Sequence, residues 1–470
     1  MSQQSLRGAN AMASVLDSRL LTDLRAALTG DVIARGDDAY DEARTVFNGM
    51  IDRRPKVIAQ CVNDHDVAAA IAFAREHGLE IAVRGGGHGV AGTAVNDGGL
   101  VVDLRRMNAV TVDPEAGIAR VGGGATFSNL DRATQPYGLA TTGGRASTTG
   151  VGGFTLGGGS GWVERKFGLA CDNLLAVRLV TADGRTVLAD ENRNSELFWA
   201  LHGGGGNFGV ATEFDFRLHS LPVIYIALLL WPAEAGPDVA RAYRDFMAAA
   251  PDEVGGGLLY LTGPPEEFVP AELVGKLAVG ALFTYTGGEA QAKPVIRPML
   301  ELGHAGGMLT ELPYAELQCM LDDPSGFRNY WSAEYLDGFP DPAVDLFCAR
   351  AHDMVVPSGS QHALLPMGGA VARGSADLPV PWRAAAWGVH PFGMWEDPAD
   401  DARGRQWARD LCADLKPWSM GAVYLNFIGD EGEERTVAGR GERNARRLAA
   451  VKTEYDPENV FHLNHNIAPG

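Results

Sequence analysis

No apolar run in this 470-residue sequence approaches the roughly 20 residues needed to cross a bilayer; the most apolar stretch, Val223 to Trp231, has the length of a buried strand. The N-terminus opens on polar Ser, Gln and Arg, followed by an amphipathic segment around Leu16 to Leu28. It lacks the continuous apolar core of a secretory signal, so a cytoplasmic location is expected. Positive charge is also scarce: 40 Lys and Arg stand against 59 Asp and Glu, a formal net charge of −19, with no Lys/Arg-rich run. Such acidity repels phosphate backbones and anionic lipid heads, which argues against nucleic acid or a membrane as partner. The five cysteines (Cys61, Cys171, Cys319, Cys348 and Cys412) are odd in number, scattered and free of C-x-x-C spacing. Neither a disulfide framework nor a zinc site is expected, no metal is required, and the thiols read as reduced and buried.

Glycine, by contrast, is abundant. Its 60 residues cluster in the first half, at Gly85 to Gly87, Gly122 to Gly124, Gly143-Gly144, Gly152-Gly153, Gly157 to Gly159 and Gly203 to Gly206. Close backbone approach of this kind suits loops that wrap a large anionic cofactor. Between the clusters lie short strand-like runs (Ile81 to Val83, Leu100 to Leu104, Ile118 to Val121), a helical run from Asp66 to Glu76, and a hairpin over Val177 to Ala189 turning at Asp183-Gly184. The pattern is α+β, and 470 residues at 46% hydrophobic content imply two domains.

The glycine clusters stop near Leu221-Pro222, where the first boundary is placed. Residues 1–222 form one domain, with its core at about 53–222. Residues 223–415 form a second, with helices expected at Asp238 to Ala249 and at Glu289 to Leu302, the latter shortened or kinked by Pro294 and Pro298. Strands such as Lys276 to Thr284 are mixed among them, giving an antiparallel sheet covered by helices on one face. Residues 416–470 return to the first domain through a strand-like Ala422 to Phe427 and a charged helix from Arg440 to Glu454.

Two segments fit G-x-G-x-x-G, Gly87 to Gly92 and Gly204 to Gly209, but neither opens a helix. The first leads through Thr93 to Gly99 into another strand, and the second into the alternating Val210 to Leu218. A Rossmann pyrophosphate site is therefore disfavoured. Val83 to Gly89 reads instead as a strand entering a turn whose successive N–H groups form an anion nest, with Arg84 and His88 alongside.

The sequence resembles FAD-linked oxidases of the berberine bridge enzyme type, which carry a PCMH-type flavin domain within the vanillyl-alcohol oxidase superfamily. The resemblance rests on Ala82 to His88, Thr149 to Trp162, Lys166 to Leu174, Asp190 to Trp199, Gly203 to Gly209 and Tyr455 to Phe461, in this order. It implies a two-part flavin domain and FAD held covalently through His88 at the 8α-methyl carbon. It also assigns Arg84, Gly85, Gly86, Gly87 and Gly89 to the pyrophosphate loop. Thr142, Gly143, Gly144, Ser147, Thr148, Gly150, Gly152, Gly153 and Gly157 would pass beside the flavin, Val210 would touch the adenine end, and Asn426 and Asn464 would lie near the ring.

Where many relatives attach the flavin a second time through cysteine, this chain has Ala146, and Phe154 replaces a histidine of several doubly linked members. A single link and a lower reduction potential than in those relatives are implied. Cys171, in a different motif, is read as structural. Tyr424 matches a tyrosine that serves as base or substrate anchor. Burial for packing is its other reading, since an ordinary phenol, with a pKa of about 10, is a poor base at neutral pH. Tyr314, Tyr330, Trp331, Tyr335, Trp382, Trp387, His390 and Trp395 read as core more than pocket, with Arg328 to Ser332 a weak candidate for the pocket wall. The expected activity is hydride removal from an alcohol, amine or sugar-like group of a small organic substrate, with dioxygen as acceptor. An oxygen-excluding dehydrogenase and a catalytically silent flavin-sequestering protein are the alternatives.

Overall fold

A computed structural model describes residues 16–320, 322 and 324–470 of the chain; the polar N-terminal opening lies outside them. Three large sheets and a separate two-stranded pair organise these residues. In the first, β1 (Asp31–Ala34), β2 (Val57–Gln60), β4 (Leu100–Asp103) and β3 (Ile81–Arg84) lie side by side in that order, with β2 and β3 parallel to β4. A parallel pair needs a crossover, and the helix Asp64–Glu76 supplies it between β2 and β3. Asn63 caps that helix by accepting from the Asp66 N–H at 2.9 Å, and the buried Asp66 carboxylate accepts from the N–H groups of Thr29, Gly30 and Val62.

The second sheet is antiparallel, in the order β5 (Val110–Asp113), β6 (Ile118–Gly122), β10 (Val210–Arg217), β8 (Leu174–Val180), β9 (Thr186–Asp190). Strands β8 and β9 are the hairpin expected around Asp183-Gly184. Short strands β7 (Leu139–Ala140) and β11 (His219–Ser220) pair beside it.

The third sheet holds β12 (Ile224–Pro232), β13 (Val254–Thr262), β14 (Leu277–Tyr285), β15 (Gly306–Leu312), β16 (Arg328–Trp331), β17 (Glu334–Leu336), β18 (Gln361–Pro366) and β19 (Trp387–Trp395), all paired antiparallel. Successive residues of a strand point to opposite faces. Tyr225, Ala227 and Leu229, with Leu258, Tyr260, Ala281 and Phe283, pack against Val239 and Tyr243 of the helix Gly236–Ala249 and Val344 and Phe347 of the helix Asp341–Ala351. Each large apolar side chain buried there contributes about 1.5–3 kcal/mol. The other face looks toward the first two sheets, so one side of this sheet is core and the other is free to shape a site.

Buried polar bonds fix the sheets to one another. The Arg165 guanidinium, buried beneath the third sheet, donates to the carbonyls of Val254 at 2.8 Å, Ala250 at 3.2 Å and Met367. The C-terminal helix Glu442–Tyr455 places Lys452 in full burial, where its ammonium donates to the Asp456 carboxylate at 2.6 Å, the Asn207 carbonyl at 2.7 Å and the Phe461 carbonyl at 3.0 Å.

Four expectations are corrected. Ala422 to Phe427 is not a strand: the chain passes without a sheet partner and closes into a short 3-10 turn over Leu425–Phe427, with the Phe427 N–H donating to the Tyr424 carbonyl at 3.0 Å. Tyr424 and Val423 are completely buried, so the apolar run reflects burial on both sides and not a ladder. The charged helix begins at Glu442, because Gly441 at φ +75° separates it from an additional helix, Glu433–Arg440. The helix expected to reach Leu302 ends at Leu300 and runs through Pro294 and Pro298, both of which lie on its exposed face. Finally, all five cysteines are free thiols, but Cys319 is exposed while the other four are buried.

Candidate active site

All three sheets contribute to one cavity of about 940 Å³, at the top of the roughly 300–1,000 Å³ range of ligand sites. One wall is the turn after β3. Gly85, Gly86, Gly87, His88 and Gly89 all line it, and among the described residues no acceptor pairs with the N–H groups of Gly85 to Gly89. Gly86 lies against Gly150 so closely that a Cβ on either would come within 2.3 Å of the other's backbone nitrogen. Only two glycines allow this contact, and it brings the turn and the segment around Gly150 together into one cradle. The space beside Gly89, Gly153 and Gly206 is open, with no atom within 4 Å of where a Cβ would be.

His88 stands at the edge of that cradle, its ring stacked on Phe47 with centroids 4.2 Å apart and planes at 16°. Its Nε2 lies 2.9 Å from the Thr148 hydroxyl. Burial in the cleft wall pushes its pKa down to about 4 despite the nearby Asp322 carboxylate, so the imidazole is neutral at physiological pH. With Nε2 bonded to Thr148, Nδ1 is the uncommitted ring nitrogen. It carries the lone pair when Nε2–H donates to the hydroxyl.

The end of the chain forms another wall. Asn464 and Asn466 line it with buried side-chain carbonyl oxygens that find no partner among the described residues. Tyr424 is fully buried with its hydroxyl accepting from Asn426 Nδ2 at 2.9 Å, while the same amide group donates to the carbonyls of Gly153 and Phe154. Burial raises the Tyr424 pKa, opposed by the Asn426 hydrogen bond and by the backbone amides of Ser160 and Gly159. The phenol is therefore protonated at neutral pH.

The sequence-derived residues divide into two groups. Gly85, Gly86, Gly87, His88, Gly89, Gly144, Gly150, Gly152, Gly153, Gly157, Tyr424, Asn426 and Asn464 line the cavity. Arg84 does not: its guanidinium holds the carbonyls of Ala43 and Thr45. Thr142 donates to the Gly168 carbonyl, the Gly143 N–H donates to the Tyr314 hydroxyl, and Ser147 donates twice to Asp322. Thr148 acts on the cavity through His88, and Val210 begins β10 between Gly209 and Ala211, which do line the wall. Cys171 is fully buried outside the cavity, with its thiol pKa pushed far up by burial. Ala146 and Phe154 line it, the latter edge-on to Phe127 at 4.9 Å.

Sequence reasoning missed Asn207, whose amide group bonds the Gly204 and His465 carbonyls and the Ile467 N–H, tying the glycine loop to the chain end. The Gly203 to Gly209 motif was its signal. It also missed His390 on the cavity wall, because aromatic residues in a strand show no sign of which face they occupy, whereas Trp331, within the Arg328 to Ser332 segment expected as a candidate for the pocket wall, does line it.

The unpaired N–H groups, the glycine cradle and the orphaned asparagine oxygens fit a flat, polyanionic cofactor with its own hydroxyl and N–H donors. Two family models match the chain: an FAD binding domain over residues 55–190 and a berberine and berberine-like segment over residues 423–468. The chain is 31% identical over 464 residues to (R)-6-hydroxynicotine oxidase of Paenarthrobacter nicotinovorans, an alignment that covers 97% of this chain and 99% of that protein. Among solved structures, 6-hydroxy-D-nicotine oxidase from Arthrobacter nicotinovorans superimposes with a TM-score of 0.84 at 29% identity, over 97% of this chain and 100% of that one. Glucooligosaccharide oxidase from Acremonium strictum shares the fold, with a TM-score of 0.84 at 24% identity over 96% and 99% of the two chains. With the cradle, the cavity and these likenesses in agreement, the chain belongs to the berberine-bridge-enzyme-like family of FAD-dependent oxidoreductases.

Proposed function

We propose that the protein is an oxidase that carries FAD on one covalent bond from His88 and removes a hydride from an alcohol, amine or sugar-like carbon of a small organic substrate, with dioxygen as acceptor. The observation that carries this reading is the His88 imidazole, neutral, stacked on Phe47 and held through Nε2 by Thr148. A neutral nitrogen with a free lone pair is what bonding to the electron-poor 8α-methyl carbon requires. Glucooligosaccharide oxidase has 6-S-cysteinyl, 8α-N1-histidyl FAD. Here Ala146 removes the second bond, leaving one.

When held by these residues, FAD would supply the hydride acceptor for the substrate, with dioxygen taking up the electrons to give hydrogen peroxide. The chain's residues hold and orient. The N–H groups of Gly85 to Gly89 would bind the pyrophosphate, as an anion nest does, and Asn464 and Asn466 would accept from hydroxyl or N–H groups of the cofactor. Tyr424 would meet the substrate heteroatom. Because Asn426 already donates to its oxygen, the phenol's own proton is available to donate, which makes it an anchor at neutral pH and a base only if the phenolate forms. In this reading residues 1–222 with 416–470 make the cofactor half and 223–415 the substrate half. The enzyme works in the cytoplasm, in keeping with five unpaired thiols. Among the described residues no helix is long and apolar enough to cross a membrane.

Acid precipitation of the purified protein tests the central claim. Yellow colour is expected to stay with the denatured pellet and peroxide to appear with substrate in air. Colour wholly in the supernatant would remove the covalent link, and flavin reduced by substrate but not reoxidised by air would make the enzyme a dehydrogenase. Removing the hydroxyl in Tyr424→Phe is expected to slow anaerobic flavin reduction by roughly tenfold or more, the low end of what a positioned acid or base supplies. An unchanged rate would leave Tyr424 a packing residue.

A further inference from the structure

The cofactor side of the cavity accounts for His88 and Tyr424, whereas the sheet opposite carries polar groups that the proposed reaction does not yet use. Alternation along the strands turns Leu228, Leu259, Leu282, Ala363 and Leu365 toward the cavity. Two polar side chains share that apolar face, Gln361 opposite Phe392 and His390 opposite Ala363, which in turn pairs with Leu259.

His390 is held with unusual completeness. Its Nδ1 lies 2.8 Å from the Ser332 carbonyl oxygen, which can only accept, so Nδ1 carries the proton and Nε2 the lone pair. Its ring stacks on Phe427 at 4.0 Å and 7°, and stands edge-on to Trp331 and Phe392, each at 5.8 Å. Phe427 packs on Tyr424 at 4.7 Å, so this imidazole is one aromatic ring away from the Tyr424–Asn426 pair. Burial pushes the His390 pKa down to about 3, and Nε2 has no partner among the described residues. The result is a neutral acceptor of fixed tautomer, clamped by aromatic rings on a wall whose other residues are apolar except for Gln361.

We propose that His390 Nε2 accepts a hydrogen bond from the O–H or N–H of a predominantly apolar, ring-containing substrate, making the enzyme selective for aromatic or alicyclic alcohols and amines over saccharides. The proposal rests on the oxidase reading for the chemistry after binding, but not for binding itself. A sugar ring would bring several hydroxyls against Leu228, Leu259, Leu282 and Leu365, and each one left unpartnered costs roughly tenfold in affinity. One heteroatom donor with an apolar body leaves none.

The test uses the flavin-loaded protein under anaerobic conditions, where either binding or reduction changes the visible spectrum. The probes are 2-naphthalenemethanol, its methyl ether and cellobiose. Wild type is expected to half-saturate with the alcohol at about tenfold lower concentration than with the ether, one hydrogen bond's worth of preference, and to ignore cellobiose. His390→Asn keeps an amide N–H for Ser332 and deletes Nε2, and should bring alcohol and ether within about twofold. His390→Gln, which returns an amide group near the Nε2 position, should restore part of the preference. The proposal is overturned by a wild type that does not prefer the alcohol, by a preference that survives His390→Asn, by cellobiose acting at lower concentration than the alcohol, or by no response to either aromatic probe. Acid precipitation of the same sample separates the two readings: a colourless pellet with the preference intact removes the covalent link and leaves this anchor standing.

Discussion

Replacing His88 with alanine is expected to abolish covalent attachment altogether, so that acid precipitation sends the yellow colour into the supernatant and the denatured band on a gel loses its flavin fluorescence. Among the described residues of the turn after β3 and of the segment around Gly150, no other side chain offers a neutral nitrogen or a thiolate to take over: Ala146 is inert, and Cys171 is buried outside the cavity with a thiol that burial keeps protonated. The variant should still bind FAD, because the backbone N–H groups of Gly85 to Gly89 and the Gly86–Gly150 contact owe nothing to the imidazole. Attachment in wild type should also have a defined pH dependence. The folded pKa of His88, about 4, lies below the ordinary value. The nucleophilic neutral form is therefore fully present from about pH 6 upward and is lost only as pH falls toward 4. Reconstitution rates measured between about pH 6 and pH 8 should be flat. A rate that climbs through the ordinary histidine range near pH 6.5 would show that the ring is not desolvated as described.

The largest effect on stability is expected from Lys452→Met. The ammonium is completely buried and all three of its protons are used, on the Asp456 carboxylate and the carbonyls of Asn207 and Phe461. Methionine fills similar space but leaves the Asp456 carboxylate buried without its counter-charge. Breaking one side of a buried pair costs about 3–5 kcal/mol. A value near 3 kcal/mol is expected here, since Asp456 keeps the N–H groups of Val460 and Phe461 as donors. Denaturant titration of the holoprotein reads the loss directly. A shift under about 1 kcal/mol, the size of an exposed pair, would mean that water reaches the site. Because Lys452 joins the Asn207 loop to the chain end, weaker retention of non-covalently bound FAD in a His88→Ala, Lys452→Met double variant should accompany the change.

Much of this arrangement was legible in the sequence, for a specific reason. Glycine clusters mark close backbone approach wherever they occur, and Gly86 against Gly150 is such a contact. Likewise, alternation made β10 and the β8–β9 hairpin readable, and the G-x-G-x-x-G segments were rightly set aside because no helix follows either of them at the required place. Side-chain direction was less accessible. Arg84 ends β3 at the entrance to the anion nest, yet its guanidinium turns to the carbonyls of Ala43 and Thr45, a choice set by the end of the short helix Tyr40–Arg44 some 40 residues earlier in the chain. Val423 to Leu425 has the composition of a strand and none of its partners, since burial between two layers selects the same residues as a ladder does. His390 was read with the core aromatics because only the register of β18 against β19 decides which face it occupies.

That register also bears on how the enzyme could be remade. Positions such as Leu259, Ala363 and His390 alternate with Leu258, Leu364 and Val389, which serve the helix-covered core. A combinatorial library confined to Leu259, Leu261, Gln361, Ala363, Leu365, His390 and Phe392, which line the cavity, would vary what it recognises while leaving the packing on the helix-covered face untouched. Screening for new specificities in such a library should therefore lose few members to misfolding, whereas the same diversity moved by one residue along each strand should be largely insoluble.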